Sequence, residues 1–258
     1  MADYPFTSAL VTGASSGIGE ALVHELARAG VPAVLVARRR DRLAALAEEH
    51  PGCDVLVADL TTSEGQALVA ERLRSESEPI DLAVNNAGFG TSGLFHESDV
   101  DRVADEVELN VAALTRLSHA ALSTMVPRRR GWLLNVSSVA SFQPAPRLAV
   151  YAATKAYVTS LTESLHEEVR HDGVKVTALC PGLTRTEFQQ VSSTEHYADD
   201  YPDFVWTTVE DVVRSALDAV VAGKAIAVPG LVYKGLAFAS GVAPRGLTRW
   251  VSGMVMRR

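Results

Sequence analysis

Three groups of residues in this chain have types and spacings that could act together in one reaction. A glycine-rich run, Gly13-Ala14-Ser15-Ser16-Gly17-Ile18-Gly19, lies near the start, Ser138 lies mid-chain, and Tyr151 and Lys155 follow it. Tyr151 and Lys155 are four positions apart, which puts a phenol and an ammonium on one face of a helix. An ammonium favours the phenolate and lowers the pKa of a tyrosine, so the phenol can exchange a proton with a carbonyl/alcohol pair.

The glycine-rich run predicts a loop that binds the phosphates of a dinucleotide. It lies between a predicted strand and a predicted helix, and a helix N-terminus offers unpaired N–H groups and partial positive charge to phosphate. Its spacing is Gly-x-x-x-Gly-x-Gly rather than the commoner Gly-x-Gly-x-x-Gly. A plain glycine-rich turn is the alternative for the run taken by itself. Combined with a tyrosine acid, the run indicates hydride transfer between a nicotinamide cofactor and a carbonyl.

The residues after the second predicted strand indicate which cofactor is used. An acidic residue there binds the ribose 2′-hydroxyl of NAD, whereas an arginine pairs with the 2′-phosphate of NADP. This chain has Ala37 at that point, followed by Arg38-Arg39-Arg40. Guanidinium groups suit phosphate because they bind it with two parallel hydrogen bonds, so we predict NADP(H). A solvated helix start is the alternative, and it suits Arg40 and Arg42 best.

Apolar segments alternate with helical patterns along the chain, and these elements must position the reactive groups. We predict strands at 9–11, 33–36, 55–57, 82–84, 132–136, 174–179 and 225–228, and helices at 19–29, 40–49, 63–75, 99–125, 149–171 and 207–221. Thr207 and Glu210 resemble a capping box at the start of the last helix. The alternation predicts a doubly wound, Rossmann-type three-layer α/β/α fold with a mostly parallel seven-stranded sheet. Ser138 follows the fifth strand, at the sheet edge where such folds bind ligands.

Composition and charge narrow the class of protein. The chain has 258 residues, 47% hydrophobic and 21% charged, which suits one domain over residues 1–258. Its net charge of −7 argues against nucleic-acid binding. The start of the chain does not look like a signal peptide and no apolar run approaches the roughly 18 residues of a membrane span, so we expect a cytoplasmic protein. The cysteines and histidines lack metal-ligand spacing, so we expect no metal.

In their order and spacing, these motifs resemble those of the short-chain dehydrogenases/reductases, over about residues 6–187. The resemblance implies that Tyr151 is the catalytic acid/base and that Lys155 lowers its pKa and binds the nicotinamide ribose. It also implies that Ser138 positions the substrate oxygen and that Asn110, in Leu109-Asn110-Val111, supports a water in the proton relay. No catalytic position is substituted. The family further implies a homodimer or homotetramer.

The same resemblance implies a larger set of cofactor contacts. These residues lie in the glycine loop and in the segments that follow the second, third, fourth and sixth strands. Besides Tyr151 and Lys155, they are Gly13, Ser15, Ser16, Gly17, Ile18, Gly19, Arg38, Arg39, Asp59, Leu60, Asn86, Ala87, Gly88, Pro181, Gly182, Thr184 and Thr186.

Substrate contacts are predicted around Ser138 and Tyr151 and in a flap at about residues 181–207. The further candidates are Phe142 and Gln143, between the serine and the tyrosine, and Phe188 in the flap. Phe142 favours an apolar substrate, and simple loop packing is the alternative. His96 is a weaker candidate near the expected mouth of the pocket.

The C-terminal tail, about residues 229–258, is apolar and basic and is interrupted by glycines. It could be an amphipathic anchor at a membrane surface, but a packed or oligomer-facing tail is the interpretation we favour. We therefore predict an NADP-dependent oxidoreductase of a ketone or aldehyde and its alcohol, with an apolar substrate. The alternatives are a reductase of a long acyl or lipid-like ketone at a membrane surface and a non-catalytic NADP-binding sensor.

Overall fold

The computed structural model describes residues 4–194, 201–243 and 245–255. Within these residues seven strands form one sheet, in the order β3-β2-β1-β4-β5-β6-β7, and every neighbouring pair is parallel. The predicted doubly wound parallel sheet is confirmed. The strands are β1 Ala9–Thr12, β2 Ala33–Ala37, β3 Asp54–Val57, β4 Leu82–Asn85, β5 Gly131–Val136, β6 Val174–Leu179 and β7 Ile226–Ala227.

Helices cover both faces of the sheet. They are α1 Gly17–Arg28, α2 Arg40–Glu49, α3 Ser63–Leu73, α4 Val100–Val107, α5 Leu114–Arg128, α6 Ala149–Val169, α7 Phe188–Val191, α8 Val209–Val221, α9 Leu231–Val242 and α10 Arg245–Val255. One apolar core packs α1, α2 and α8 against the sheet. The second packs α3, α5 and α6 against the opposite face. The central strands β1, β4 and β5 are therefore buried along their whole length, which explains their largely apolar sequences.

The winding direction of the sheet reverses between β1 and β4. At such a point the loops at the carboxyl ends of the two strands diverge and leave a crevice for a ligand. Thr12 is the last residue of β1, and its hydroxyl accepts hydrogen bonds from the backbone N–H groups of Asn86 (2.9 Å) and Ala87 (3.0 Å). These bonds join the end of β1 to the loop after β4. The predicted cofactor motifs lie at this crevice.

Three local features differ from the sequence-based expectations. The helix predicted over 99–125 is interrupted between α4 and α5 by a π-helical segment, Glu108–Ala113. The capping box predicted at Thr207 is wrong by one residue, because Thr208 caps α8 by accepting a hydrogen bond from the backbone N–H of Asp211. The glycine-interrupted tail also contains two helices, α9 and α10, for which no pattern was recognised.

Candidate active site

A cavity of about 670 Å³ opens at the carboxyl edge of the sheet. It extends from the glycine loop past Tyr151 and Lys155 to the first turns of α9. The predicted site residues that line it are Gly13, Ser15, Ser16, Gly17, Ile18, Arg38, Arg39, Asp59, Leu60, Asn86, Ala87, Gly88, Ser138, Gln143, Tyr151, Lys155, Pro181, Gly182, Thr184, Thr186 and Phe188. The lining does not include Gly19, Asn110 or Phe142.

The glycine loop is shaped by positions at which a side chain would not fit. Gly13 and Gly17 have φ angles of +66° and +60°, in the left-handed region that disfavours other residues. A Cβ on Gly19 would lie 2.3 Å from the carbonyl oxygen of Gly13, so Gly19 permits close packing of the turn without facing the cavity. Ser16 precedes α1 but makes no side-chain cap hydrogen bond. The first N–H groups of α1 are thus suited to bind a phosphate at the cavity wall.

Two arginines flank the glycine loop at the end of β2. The guanidinium of Arg39 donates to the hydroxyl of Ser15 (3.0 and 3.1 Å) and to its backbone carbonyl (3.1 Å). Its third nitrogen pairs with Glu187 at 2.8 Å. Arg38 is more exposed and lies 3.7 Å from a carboxylate oxygen of Asp59. Both guanidinium groups therefore border the cavity within reach of a phosphate beside the loop.

Glu187 connects this arginine pair to the flap, and no motif pointed to it. Its carboxylate also accepts a hydrogen bond from Arg42 at 2.6 Å, a residue that the sequence had placed at a solvated helix start. The hydrogen bond from Arg39 is the main reason that the pKa of Glu187 is lowered. The start of the flap is thus held to both the β2 loop and α2.

Tyr151 and Lys155 lie on α6 and are both buried. The ammonium of Lys155 donates to the carbonyl of Val136 at 2.8 Å and lies 5.7 Å from the centre of the Tyr151 ring. Burial lowers the pKa of Lys155 from 10.5 to about 8. Burial also raises the pKa of Tyr151 to about 12, opposed by a hydrogen bond with Ser138. The tyrosine pKa is thus raised rather than lowered as the sequence led us to expect, and the phenol stays protonated at neutral pH.

Ser138 and Ser137 have different roles although they are adjacent. The hydroxyl of Ser137 donates to the backbone carbonyl of Lys155 (2.8 Å) and contacts the hydroxyl of Thr159 (2.7 Å), so it fixes β5 to α6. The hydroxyl of Ser138 accepts a hydrogen bond from the N–H of Ala140 at 3.1 Å. This bond orients Ser138 at the start of a short 3₁₀ turn, Val139–Phe142, beside Tyr151.

Asn110 lies within the π-helical segment and binds the loop that follows β4. Its side-chain oxygen accepts from the N–H of Phe89 (3.2 Å), and its amide donates to the carbonyl of Phe89 (2.8 Å). The amide also donates to the hydroxyl of Thr154 (3.1 Å), which in turn donates to the carbonyl of Tyr151 (2.8 Å). Asn110 is thus connected to α6 through Thr154, and π-helical turns are frequent at functional sites.

The far end of the cavity is largely apolar. Phe188 packs against Tyr151 with ring centres 5.4 Å apart. Further apolar lining comes from Leu148, Val191, Val205, Val232 and Leu236. Gln143 contributes a polar group, whereas the predicted substrate contacts of Phe142 and His96 stay predictions, since neither residue lines the cavity.

Tyr233, on α9, holds the loop after β6 in place and was not recognised from the sequence. Its hydroxyl accepts from the N–H of Leu183 (2.9 Å) and donates to the carbonyl of Val205 (2.7 Å). Its ring covers Gly182, where a Cβ would lie 2.0 Å from a ring carbon. The tail thereby contributes directly to the cofactor loop and to the wall of the cavity.

One group of three potential metal ligands lies away from this cavity. His24 on α1 and His50 after α2 are joined through their ring nitrogens at 2.7 Å, and an oxygen of Glu49 lies 3.7 and 3.8 Å from these two nitrogens. The ring nitrogens are as close as in a hydrogen bond, closer than two ligands of one tetrahedral zinc ion. We interpret the pair as a contact between α1 and α2.

The family to which the chain belongs follows from sequence comparison. The profile described as short chain dehydrogenase matches residues 7–196. The chain is a member of the short-chain dehydrogenase family. This confirms the resemblance drawn from the motifs. This dehydrogenase is 37% identical over 191 residues to an uncharacterized oxidoreductase of Myxococcus xanthus, covering 72% of this chain and 76% of the relative. It is also 31% identical over 223 residues to a very-long-chain 3-oxoacyl-CoA reductase of Anas platyrhynchos, covering 82% and 68%.

Solved structures of the same fold extend the similarity to most of the chain. A short-chain dehydrogenase from Sphingobium yanoikuyae in complex with NADPH superposes with a TM-score of 0.82 at 34% identity, covering 93% of this chain and 94% of that one. A bulky-bulky ketone specific alcohol dehydrogenase from Comamonas testosteroni superposes with a TM-score of 0.77 at 33% identity, covering 91% and 92%. Both solved structures therefore share the fold over most of the length of this dehydrogenase.

Proposed function

We propose that this protein is an NADP-dependent reductase of ketones or aldehydes with an apolar body. One observation carries the proposal: a single cavity joins the glycine loop and the arginines to Tyr151 and then to an apolar wall. The first part suits a dinucleotide phosphate, the second suits proton transfer, and the third suits a hydrophobic substrate. The order matches what reduction of a carbonyl requires.

The residues of the cavity suit NADP(H). The N–H groups at the start of α1 lack a side-chain cap, and Arg38 and Arg39 line the cavity beside them. The ribose 2′-phosphate distinguishes NADP from NAD, and two guanidinium groups at the end of β2 suit that phosphate. The Sphingobium relative in complex with NADPH supports the same choice. When bound, NADPH supplies the hydride.

The protein supplies the proton in this proposal. Since the pKa of Tyr151 is about 12, its phenol stays protonated at neutral pH and can donate to a carbonyl oxygen. Ser138 lies beside the phenol and can donate a hydrogen bond to the same oxygen. The ammonium of Lys155 stabilises the phenolate that remains after transfer. The protonated phenol is the form that donates in reduction, and the phenolate is the form that accepts a proton in oxidation of an alcohol.

Substitution of Tyr151 tests the proposal directly. NADPH consumption is measured at 340 nm across a panel of aliphatic, aromatic and cyclic ketones, with wild type and Tyr151→Phe side by side. We expect turnover to fall by about 10²–10⁴-fold in the variant, the usual contribution of a general acid, while NADPH binding changes less than about twofold. Phe188→Tyr is a matched control for a small change at the same ring contact. Equal turnover by wild type and Tyr151→Phe would overturn the mechanism. Tight NADPH binding without turnover of any ketone by wild type would favour a non-catalytic sensor.

Charge and exposure in the tail favour a second candidate, reduction of a long-chain ketone at an anionic lipid surface. Residues 219–258 contain six Lys or Arg and no Asp or Glu, in a chain of net charge −7. Leu231, Phe238 and Trp250 on α9 and α10 are 85%, 76% and 61% exposed. The neighbouring side chain of Val232 lines the cavity. The similarity to a very-long-chain 3-oxoacyl-CoA reductase supports a long acyl substrate.

Vesicle binding separates this candidate from a reductase of small ketones. Among the described residues no helix is long and apolar enough to cross a bilayer, so any attachment would be at the surface. We expect cosedimentation with phosphatidylcholine vesicles only when phosphatidylglycerol is included, and loss of it in Trp250→Ser. Leu68→Ser, which removes an exposed apolar residue of α3 far from the tail in sequence, is the control and should bind as wild type does. Absence of binding to either vesicle type would rule out the lipid-surface candidate.

We further propose that the protein forms a homo-oligomer through the outer faces of α4 and α6. Phe95, Val100, Val107 and Tyr157 are 66%, 74%, 42% and 40% exposed, and Phe95 and Val107 line a shallow apolar hollow of about 430 Å³. Analytical ultracentrifugation of Val107→Lys should give monomers where wild type gives dimers or tetramers. Leu68→Lys, at an exposed apolar residue of α3, should leave the oligomer intact. Monomeric wild type would contradict the assembly.

A further inference from the structure

Three side chains on α4 and the π-helical segment form a stripe against the loop that follows β4. Arg102, Glu106 and Asn110 are spaced by four residues, so they share one face of the helix. Asn110 binds the backbone of Phe89 in both directions. The guanidinium of Arg102 donates to the carbonyl of Gly90 at 3.4 Å and lies 4.9 Å from the centre of the Phe89 ring. The stripe therefore holds the loop in place through contacts with Phe89 and Gly90.

Glu106 is the central member of the stripe, and its carboxyl group is completely buried. Thr91 is its polar neighbour in the loop, where contacts of the hydroxyl and the backbone N–H oppose the rise in the pKa of Glu106 that burial causes. Neither the carboxyl oxygens nor the Thr91 hydroxyl completes a hydrogen bond of normal geometry within the part of the chain that the structure describes. A buried carboxyl is expensive to retain, so its presence beside the active site requires an explanation.

The catalytic residues contact the other side of the same loop. A Cβ on Gly88 would lie 3.4 Å from the ammonium nitrogen of Lys155, and a Cβ on Gly90 would lie 3.1 Å from the ring of Tyr151. Because both positions are glycines, the loop backbone itself packs on the catalytic groups. A displacement of the loop toward or away from Glu106 would therefore move the surface that orients Tyr151.

Charge couples Glu106 to the same two residues. The titratable and charged groups that face it are Arg102 on its own helix and Lys155 and Tyr151 on α6. Arg102 and Lys155 favour its carboxylate, and that carboxylate in turn raises the pKa of Lys155 and of Tyr151. Cys180 is the other group that raises the pKa of Lys155. A negative Glu106 thus favours a charged lysine and a protonated phenol, the states from which reduction starts.

We propose that Glu106 is a positioning residue for the catalytic pair, which holds the 88–91 loop against Tyr151 and sustains the positive charge of Lys155. It touches neither substrate nor cofactor, since it does not line the cavity. Only the kinetic part of this inference rests on the proposed reductase function. Its electrostatic part concerns two buried side chains and can be measured on the folded protein without any substrate.

The substrate-free test is a double-mutant cycle between Glu106→Gln and Lys155→Met, followed by urea unfolding at pH 7 and pH 10. Gln has the shape of Glu without its charge, so packing is preserved. We expect a stabilising coupling between the two residues at pH 7 that disappears at pH 10, where Lys155 has lost its proton. An equal coupling at both pH values, or none at pH 7, would overturn the electrostatic role.

The kinetic test uses Glu106→Gln, Thr91→Val and the exposed neighbour Asp105→Asn as the control. We expect Glu106→Gln to lower kcat about 10- to 100-fold, in the range that small misplacements of reacting groups produce, with the KM for NADPH nearly unchanged. In the pH–rate profile of Glu106→Gln, the loss of activity that accompanies deprotonation of Lys155 should occur at lower pH than in wild type. Thr91→Val should lower kcat without the pH shift, and Asp105→Asn should match wild type. A wild-type pH profile in Glu106→Gln, or a kcat loss matched by equal loss of stability, would contradict the proposal. An inactive wild type would instead refute the proposed function and leave the coupling measurement valid.

Discussion

Burial of Lys155 predicts a stability that depends on pH in a defined direction. Its pKa is about 8 in the folded protein and 10.5 in an ordinary setting. Below pH 8 the lysine is charged in both folded and unfolded states, so the full cost of burying the charge is present. Between pH 8 and 10.5 the folded state has lost the proton and the unfolded state still holds it. Stability therefore rises with pH across this window.

The magnitude follows from the two pKa values. At roughly 1.4 kcal/mol per pKa unit, the buried charge costs about 3 kcal/mol at pH 7 and about 1 kcal/mol at pH 10. Lys155→Met removes this cost at both pH values, together with the hydrogen bond to Val136, whose loss is the same at both. The stability of the variant relative to wild type should therefore fall by about 2 kcal/mol between pH 7 and pH 10.

Urea unfolding followed by tryptophan fluorescence measures this difference. Wild type, Lys155→Met and the control Lys175→Met are compared at pH 7 and pH 10 under the same ionic strength. Lys175 is exposed on β6, so its variant should keep the same offset from wild type at both pH values. An offset for Lys155→Met that does not change with pH would refute the reasoning, because it would mean that Lys155 is as well solvated as an ordinary lysine.

Three further substitutions test the cofactor loop, the arginines and the tail. Gly19→Ala should weaken NADPH binding more than about tenfold by fluorescence titration, because the added carbon would meet the Gly13 carbonyl at 2.3 Å; unchanged affinity would contradict the close packing. Arg39→Ala should weaken NADPH binding by about 1.5–3 kcal/mol, the value of a hydrogen bond to a charged group, and weaken NADH binding less, by the loss of its hydrogen bonds to Ser15 alone. An equal loss for both cofactors would argue against a 2′-phosphate contact. Tyr233→Phe should lower stability by about 1 kcal/mol, since the partly buried N–H of Leu183 loses its partner, and should raise the KM for the ketone; a wild-type melting curve and KM would refute this role.

The sheet and the motif residues could be predicted because their signals are local. An unbroken apolar segment such as Ala9-Leu10-Val11 suits a strand buried on both faces, and the structure places β1 there, at Ala9–Thr12. Gly13 and Gly17 take backbone angles that other residues avoid, so the loop can be recognised from its composition. The fold and the main wall of the cavity follow from features of this kind.

The remaining features depend on contacts between residues far apart in sequence. Glu187 pairs with Arg39 across 148 positions, and neither residue alone indicates the other. The cap of α8 was misplaced because two threonines and two acidic residues occupy consecutive positions, so the pattern Thr-x-x-Glu/Asp fits either register. The π-helical segment around Asn110 continues an ordinary helical periodicity and gives no local signal. The burial of Glu106 likewise depends on the packing of a helix against a loop.

Tyr233 binds the loop after β6, and this contact limits how the substrate specificity of the fold can be changed. Ser138 follows β5 and both Tyr151 and Lys155 lie on α6, whereas part of the far wall of the cavity, formed by Val232 and Leu236, comes after Gly230. Exchange of the chain after Gly230 with that of a relative would change the substrate wall and leave the proton-transfer residues in place. Such a chimera keeps the two hydrogen bonds that hold this loop only where a tyrosine stands at position 233. An exchanged tail that lacks it would change the substrate wall and loosen the loop after β6 together.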